Sequence, residues 1–337
     1  MFRATLRNLA IFSLLFGLVA IIANVAVAQT VGRHKVIMSL VLDRSGSMTS
    51  DGGEAALQSA VPNFVVQFNN IYDEVGLVSF ADNGEIDVPI GYNFIAPITS
   101  AVENMPFGGG TFGTGAGNQP ILSPTVGAPM SLADLQNNSV VVNPGQKVIK
   151  VMVYFTDGLM NTVQDNFNCP NQVLLNYGGF DSQGGQYGDI FDPNSKTTIF
   201  GTAGPGGFPY MSGGSNLCKN GQGIPVTTFT SQIDGSQKTF LQANITPEAQ
   251  YRAIYTANAM RTENPIPTYI YMIGLGSSVS PATQAFLAQL ANDPAYPTYI
   301  PSQPAGEFFY IPNCPSPTCT TELKAAFQAI AYKLLHV

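Results

Sequence analysis

The chain has 337 residues, a net charge of −7, a hydrophobic fraction of 45% and only 10% charged residues. That apolar content is ample for a globular core and excludes disorder throughout. The acidic balance and the absence of Lys/Arg clusters leave no footprint for a phosphate backbone, so nucleic acid is not an expected partner.

At the N-terminus, Arg3 and Arg7 precede an uncharged, mainly apolar run over residues 9–28 that closes on Ala26-Val27-Ala28 before Gln29. A basic flank, an apolar run and small residues at the end fit a secretory signal peptide over 1–28. About 20 such residues also span a bilayer as a helix, so an uncleaved N-terminal anchor is the alternative. Both readings export everything after residue 30 to the periplasm, cell surface or exterior. Membrane contact is expected only through residues 9–28, if that segment is kept.

Strand-like apolar runs follow at 35–42, 75–80, 148–155, 268–273 and 308–311. Several are too continuously apolar for a half-exposed sheet, which points to parallel strands covered on both faces. Helical patterns lie between them at 54–69, 247–262, 281–290 and 320–335. Thr246-Pro247 and Ser280-Pro281 read as capped helix starts with Pro in the first turn. In the last helix Leu323, Phe327, Ile330 and Leu334 make one apolar face. The βαβ alternation predicts a doubly wound α/β fold: a mostly parallel sheet, helices on both faces, ligands at the carboxyl ends of the strands. Asp82, Glu85 and Asp87 read as the solvated face of a hairpin.

One domain is expected over 35–337, interrupted by insertions at about 112–147 and 159–245. Both stretches are rich in Gly, Pro, Asn and Ser, and connections this long are uncommon in compact domains unless functional or disordered. Aromatics in the second, among them Tyr177, Phe180, Tyr187, Phe191, Phe200, Phe208 and Tyr210, argue for order there. Four cysteines suit an exported chain. Cys314 and Cys319, with four residues between them, lack redox or zinc spacing and read as a short loop bridge. Cys169 and Cys218 would then pair, although four cysteines allow three connectivities.

The chemistry concentrates where the first strand ends. Asp43-Arg44-Ser45-Gly46-Ser47 puts a carboxylate and two hydroxyls on one turn, and Mg²⁺ takes such oxygen donors in a near-octahedral shell at about 2.0–2.1 Å. Further donors are Thr111, after Gly108-Gly109-Gly110, and Asp157, in Phe155-Thr156-Asp157-Gly158 at the end of another apolar run. For any single donor a plain turn is the bland reading. The case for a cation rests on the combination.

In that order these residues resemble the von Willebrand factor A family, whose metal-ion-dependent adhesion site is written Asp-x-Ser-x-Ser, then Thr, then Asp. Leu42-Asp43-Arg44-Ser45-Gly46-Ser47-Met48 carries the resemblance most specifically. Bacterial exported members look nearest, including tight-adherence pilus G-like proteins. The resemblance implies a cation, Mg²⁺ with Mn²⁺ or Ca²⁺ as alternatives, held by Asp43, Ser45, Ser47, Thr111 and Asp157. Ser45 and Ser47 would ligate directly and Thr111 directly or through water, while Asp43 and Asp157 hold the metal's waters or ligate in one state. It further implies a protein partner offering an Asp or Glu carboxylate. The sequence departs from the family after Thr111, where a long helix is expected but Phe112-Gly113-Thr114-Gly115-Ala116-Gly117 stands; Thr114 is the alternative donor.

An enzyme is not expected. The only histidines are His34 and His336 at the two ends of the domain, and no nucleophile elbow or phosphate-binding Gly-x-x-x-x-Gly-Lys-Ser/Thr loop occurs. The expected function is metal-dependent adhesion in a pilus or envelope assembly. An anchored scaffold subunit with a stabilising cation is the alternative, and metal-assisted hydrolysis a remote one.

Overall fold

A computed structural model describes residues 33–80, 84–108, 146–158, 162–165, 178–181, 190–192, 197–200, 228–239 and 242–336. Its centre is a six-stranded sheet. The strands are β1 (Lys35–Asp43), β2 (Glu74–Phe80), β3 (Gly84–Gly91), β4 (Val148–Thr156), β11 (Thr268–Leu275) and β12 (Glu307–Ile311), in spatial order β12-β11-β4-β1-β2-β3. All neighbours pair parallel except β2 and β3. This is the doubly wound, mostly parallel α/β fold expected from the sequence.

Every residue of β1 is buried, as continuous hydrophobicity requires of a strand covered on both sides. Its alternation divides the core. Ile37 and Val41 face α4 (Gln242–Arg261) and α5 (Pro281–Ala291), where Ala253, Met260, Phe286 and Leu287 pack. Val36, Met38, Leu40 and Leu42 face α2 (Gly53–Val65), α3 (Ile95–Glu103) and α6 (Cys319–Leu335). On that side the Phe64 and Phe327 rings sit 4.6 Å apart and tie α2 to α6. Each such side chain contributes about 1.5–3 kcal/mol by leaving water.

The helix boundaries refine the sequence reading. Ser280 caps α5 through Oγ, which accepts from Thr283 N at 3.2 Å, with Pro281 in the first turn. Thr246-Pro247, in contrast, does not open a helix: α4 begins at Gln242 and carries Pro247 inside it. The first long helix ends at Val65, short of the expected residue 69, in turns that close on Asp73, whose carboxylate accepts from Asn69 N at 2.7 Å. α3 was not expected as an element, and β3 only as the solvated face of a hairpin. Glu85 and Asp87 belong to edge strand β3, where Asp87 is exposed, and Asp82 lies outside the described residues.

Within the second insertion, β5 (Thr162–Asp165), β6 (Gly178–Asp181), β7 (Ile190–Asp192) and β8 (Thr197–Phe200) form an antiparallel sheet. The insertion ends in a hairpin, β9 (Thr228–Thr230) and β10 (Gln237–Thr239). Glu248 of α4 docks this hairpin: it accepts from Ser231 Oγ at 2.6 Å and Gln232 N at 2.7 Å, and pairs with Arg252 at 2.7 Å. Cys314 and Cys319 are bridged, as their spacing suggested. Cys169 and Cys218 lie outside the described residues, as do the export segment and most of the first insertion. Among the described residues no helix is long and apolar enough to cross a membrane.

The two edges of the sheet differ in charge. At the amino ends of the strands, acids meet bases: Arg33 pairs with Asp73, Lys35 with Glu74, and Lys150 with Glu263 at 3.2 Å. At the carboxyl ends, no described Lys or Arg forms an ion pair with Asp43 or Asp157.

Candidate cation site at the carboxyl edge

β1 pairs with β4 in a register that sets Leu42 beside Phe155, so Asp43 and Thr156 end adjacent strands at one level and Asp157 follows immediately. Neighbouring strands run about 4.7–4.9 Å apart, which is how two acids far apart in sequence come to share one edge.

Asp43 is fully buried. One of its oxygens accepts from Ser45 N at 2.9 Å and the other from Thr156 Oγ1 at 2.8 Å. The first bond folds the chain into a turn. Ser45, extended at φ −61° and ψ 165°, then precedes a one-turn helix, α1 (Gly46–Ser50), which carries Ser47. The Ser45 and Ser47 hydroxyl oxygens lie 3.1 Å apart. The motif read as a turn is therefore a turn feeding a helix.

Asp157 is 1% exposed, and neither of its carboxylate oxygens has a hydrogen-bond partner among the described residues. Burial, then the charge of Asp43 and that of Asp51, pushes its carboxyl up to about 8; the nearby Ser47 hydroxyl opposes the rise without satisfying either oxygen. Asp43 is also raised, by burial, against the hydrogen bonds it accepts from Ser45, Thr156 and Asp157 N. Buried carboxylates without cations are costly, so this edge has an unmet demand for positive charge. Two carboxylates beside two hydroxyls form a hard-oxygen set that fits a small divalent ion. Among the described residues no group of three or more His, Cys, Asp or Glu side chains is set to hold a metal. A cation here would thus draw on hydroxyls and water.

Thr111 and Thr114 lie outside the described residues. The loop that leads to them is anchored at the site, because Gly108 N donates to Arg44 O at 2.9 Å and the Arg44 guanidinium reaches Ser79 Oγ at 3.1 Å and Pro106 O at 3.4 Å. Three neighbours escaped the sequence reading. Thr156 clamps Asp43. Asp51, one helical turn past Ser47, adds a third negative charge. Ser278, after β11, donates to Asp157 O at 2.6 Å. Asp51 had the one available signal, its spacing of four from Ser47.

The histidines sit at the far end. His34 precedes β1, whose nine residues span roughly 30 Å at about 3.3 Å each. His336 ends α6, where Lys333 pairs with Glu307 at the start of β12, also on the amino edge. No imidazole stands beside Ser45 or Ser47.

What defines the class is this combination: the chain resembles a von Willebrand factor A domain, with a doubly wound sheet, an Asp-x-Ser-x-Ser turn after the first strand and a second Asp after a neighbouring one. No protein-family model and no curated protein matches the sequence. Among solved structures it is similar to the pilus adhesin SpaC of Lactobacillus rhamnosus GG, at 15% identity over 90% of this chain and 30% of that one, TM-score 0.48. It is also similar to the PilB minor pilin of Streptococcus sanguinis, at 12% identity over 90% of this chain and 62% of that one, TM-score 0.47. The vWF domain of the type V pili tip protein Mfa5 of Porphyromonas gingivalis is similar at 14% identity over 90% of this chain and 95% of that domain, TM-score 0.47. The chain thus spans less than two thirds of the first two.

Proposed function

We propose that the chain is an exported adhesion module that captures an Asp or Glu carboxylate of a protein partner through a divalent cation, in a pilus or cell-envelope assembly. The observation that carries this reading is Asp157: buried, unpartnered among the described residues and beside a second buried acid. Ser45, Ser47, Asp43 and Asp157 would hold the ion, with Thr111 from the anchored loop. Mg²⁺ is the expected ion, with Mn²⁺ or Ca²⁺ as alternatives. When bound, the ion supplies a positive centre that hydroxyl ligands leave only partly neutralised, so that an incoming carboxylate gains from it. The chain's own residues do the rest. Asp43 fixes the Ser45 turn, Thr156 orients Asp43, and Ser278 holds the backbone at Asp157.

Titration calorimetry of Mg²⁺ into chelator-treated protein tests the site, with Ser45→Ala and Asp157→Ala as controls. Saturable binding by the wild type and its loss in both folded variants is the expected result. No binding by the folded wild type would overturn the proposal. Partner capture that is lost in Ser45→Ala without a change in melting supports adhesion; a large fall in melting on removing the metal supports a scaffold.

A further inference from the structure

The helix that carries Ser47 ends against a covalently closed ring. Asp51 terminates α1, Gly52 turns the chain at φ +71°, and α2 begins at Gly53. A Cβ on Gly52 would lie 2.9 Å from Pro315 Cβ and 3.2 Å from its Cα. Pro315 is the first residue inside the Cys314–Cys319 bridge, and both half-cystines are buried. The ring is further pinned by Cys319 N donating to Ser316 O at 3.1 Å and by Asn313 Nδ2 donating to Glu322 Oε1 at 3.1 Å.

The joint between α1 and α2 has no slack on its other sides. A Cβ on Gly53 would lie 2.5 Å from Met48 Cε and 2.8 Å from Leu275 Cδ2, and one on Gly276 would lie 3.2 Å from Asp51 Oδ2. Gly276 N in turn donates to Ile311 O at 2.8 Å, three residues before Cys314. The end of α1 is thus wedged between the β11 loop and the ring.

We infer that the Cys314–Cys319 ring is a covalent brace for the cation site. It holds Pro315 against Gly52 and so fixes the helix that presents Ser47 and Asp51. Opening the ring frees the C-terminal end of α1 and lowers cation affinity. The inference rests on the cation-site reading above. Reduction transfers two electrons and two protons from a dithiol to the bridge, giving two cysteine thiols while the reductant closes to its own disulfide. Loss of the bridge acts at one remove from the donors, as loss of an outer-shell support does. The brace is therefore positional: Pro315 touches Gly52, not the ion.

The test compares the full chain with Cys314→Ser/Cys319→Ser and Pro315→Gly, each confirmed folded by circular dichroism. Mg²⁺ affinity is read by calorimetry and amide exchange by NMR or mass spectrometry. The bridgeless variant should bind Mg²⁺ about tenfold more weakly. It should also exchange faster at Met48, Asp51 and Gly52, whose amides donate to Ser45, Ser47 and Thr49. Exchange in α5 should be unchanged. Pro315→Gly, with the bridge intact, should shift toward the bridgeless variant. Affinity within about twofold of wild type in the folded bridgeless chain would overturn the brace, a ratio worth under about 0.5 kcal/mol. Unchanged exchange in α1 would overturn it equally. Failure of the wild type to bind Mg²⁺ would refute the cation site instead, and the exchange measurement would still decide on the brace. If the bridgeless chain fails to fold, Pro315→Gly becomes the deciding variant, and wild-type affinity and exchange in it would overturn the inference.

Discussion

Replacing Asp157 with Asn should stabilise the chelator-treated protein and destabilise the Mg²⁺-loaded one. The Asp157 carboxyl is pushed from 3.8 up to about 8 in the folded state. At about pH 7.4 the fold must therefore hold a proton that the unfolded chain has released, which costs about 5 kcal/mol at about 1.36 kcal/mol per pH unit. An amide needs no proton, but buried without partners it costs about 1–3 kcal/mol. The difference is a gain of roughly 2–4 kcal/mol for Asp157→Asn in chelator. Because the folded value lies above the unfolded one, the native state binds more protons, and wild-type stability falls as pH rises from about 4 to about 8, then levels. The Asn variant should lack that slope. Urea unfolding in chelator across this window reads both numbers. In Mg²⁺ at about a thousand times its Kd the wild type gains about 4.1 kcal/mol and the variant little, reversing the order. An Asn variant less stable than wild type in chelator above about pH 7 would refute the reasoning.

Three further substitutions probe the frame that holds the site. Gly306→Ala would place a Cβ 1.8 Å from Ile270 O and 2.6 Å from Ala291 O. The strand must shift, so thermal unfolding should show a loss of about 3 kcal/mol or more. Asn292→Ala removes a side chain that accepts from Ile300 N and donates to Ile300, Gln303 and Pro304 carbonyls, at a residue with φ +55°. A loss of about 2–4 kcal/mol in urea unfolding is expected, from stranded backbone groups and the left-handed conformation. Glu248→Gln breaks the buried pair with Arg252 and should cost about 3–5 kcal/mol. Faster amide exchange at Gln232, whose N–H now meets Glu248, would locate the loss in the β9–β10 hairpin.

The five parallel strands were legible because continuous apolar runs admit few other fates. β3 was legible only as a hairpin face: Glu85, Asp87 and Pro89 break the apolar pattern on an edge strand, where such residues are tolerated. α3 is short and carries Pro97, and its burial falls on Ile98 and Val102, too few positions to announce a helix. At the site, Asp43, Ser45 and Ser47 are local in sequence and could be read together. Asp157 joined them through hydrophobic runs ending at one level, which strand pairing then realised. Thr156 and Ser278 were not legible, since their roles depend on ladder register and on the Gly276 turn, while Asp51 offered only its spacing of four from Ser47. The same limit hid the contact between Gly52 and Pro315, two positions that nothing in the sequence connects.

The place of β1 in the sheet also bears on how the molecule carries load. β1 lies between β2 and β4 and is parallel to both, with paired residues along nearly its whole length on either side. A pull on residue 33 along the strand axis strains both ladders in shear, so many hydrogen bonds share the force and none opens first. Tension entering by that route reaches Asp43 through the stiffest part of the protein, whereas tension entering through residue 336 meets α6, which can peel from α2 without disturbing a ladder. The domain is therefore mechanically polar: strong when held by its first strand, compliant when held by its last helix.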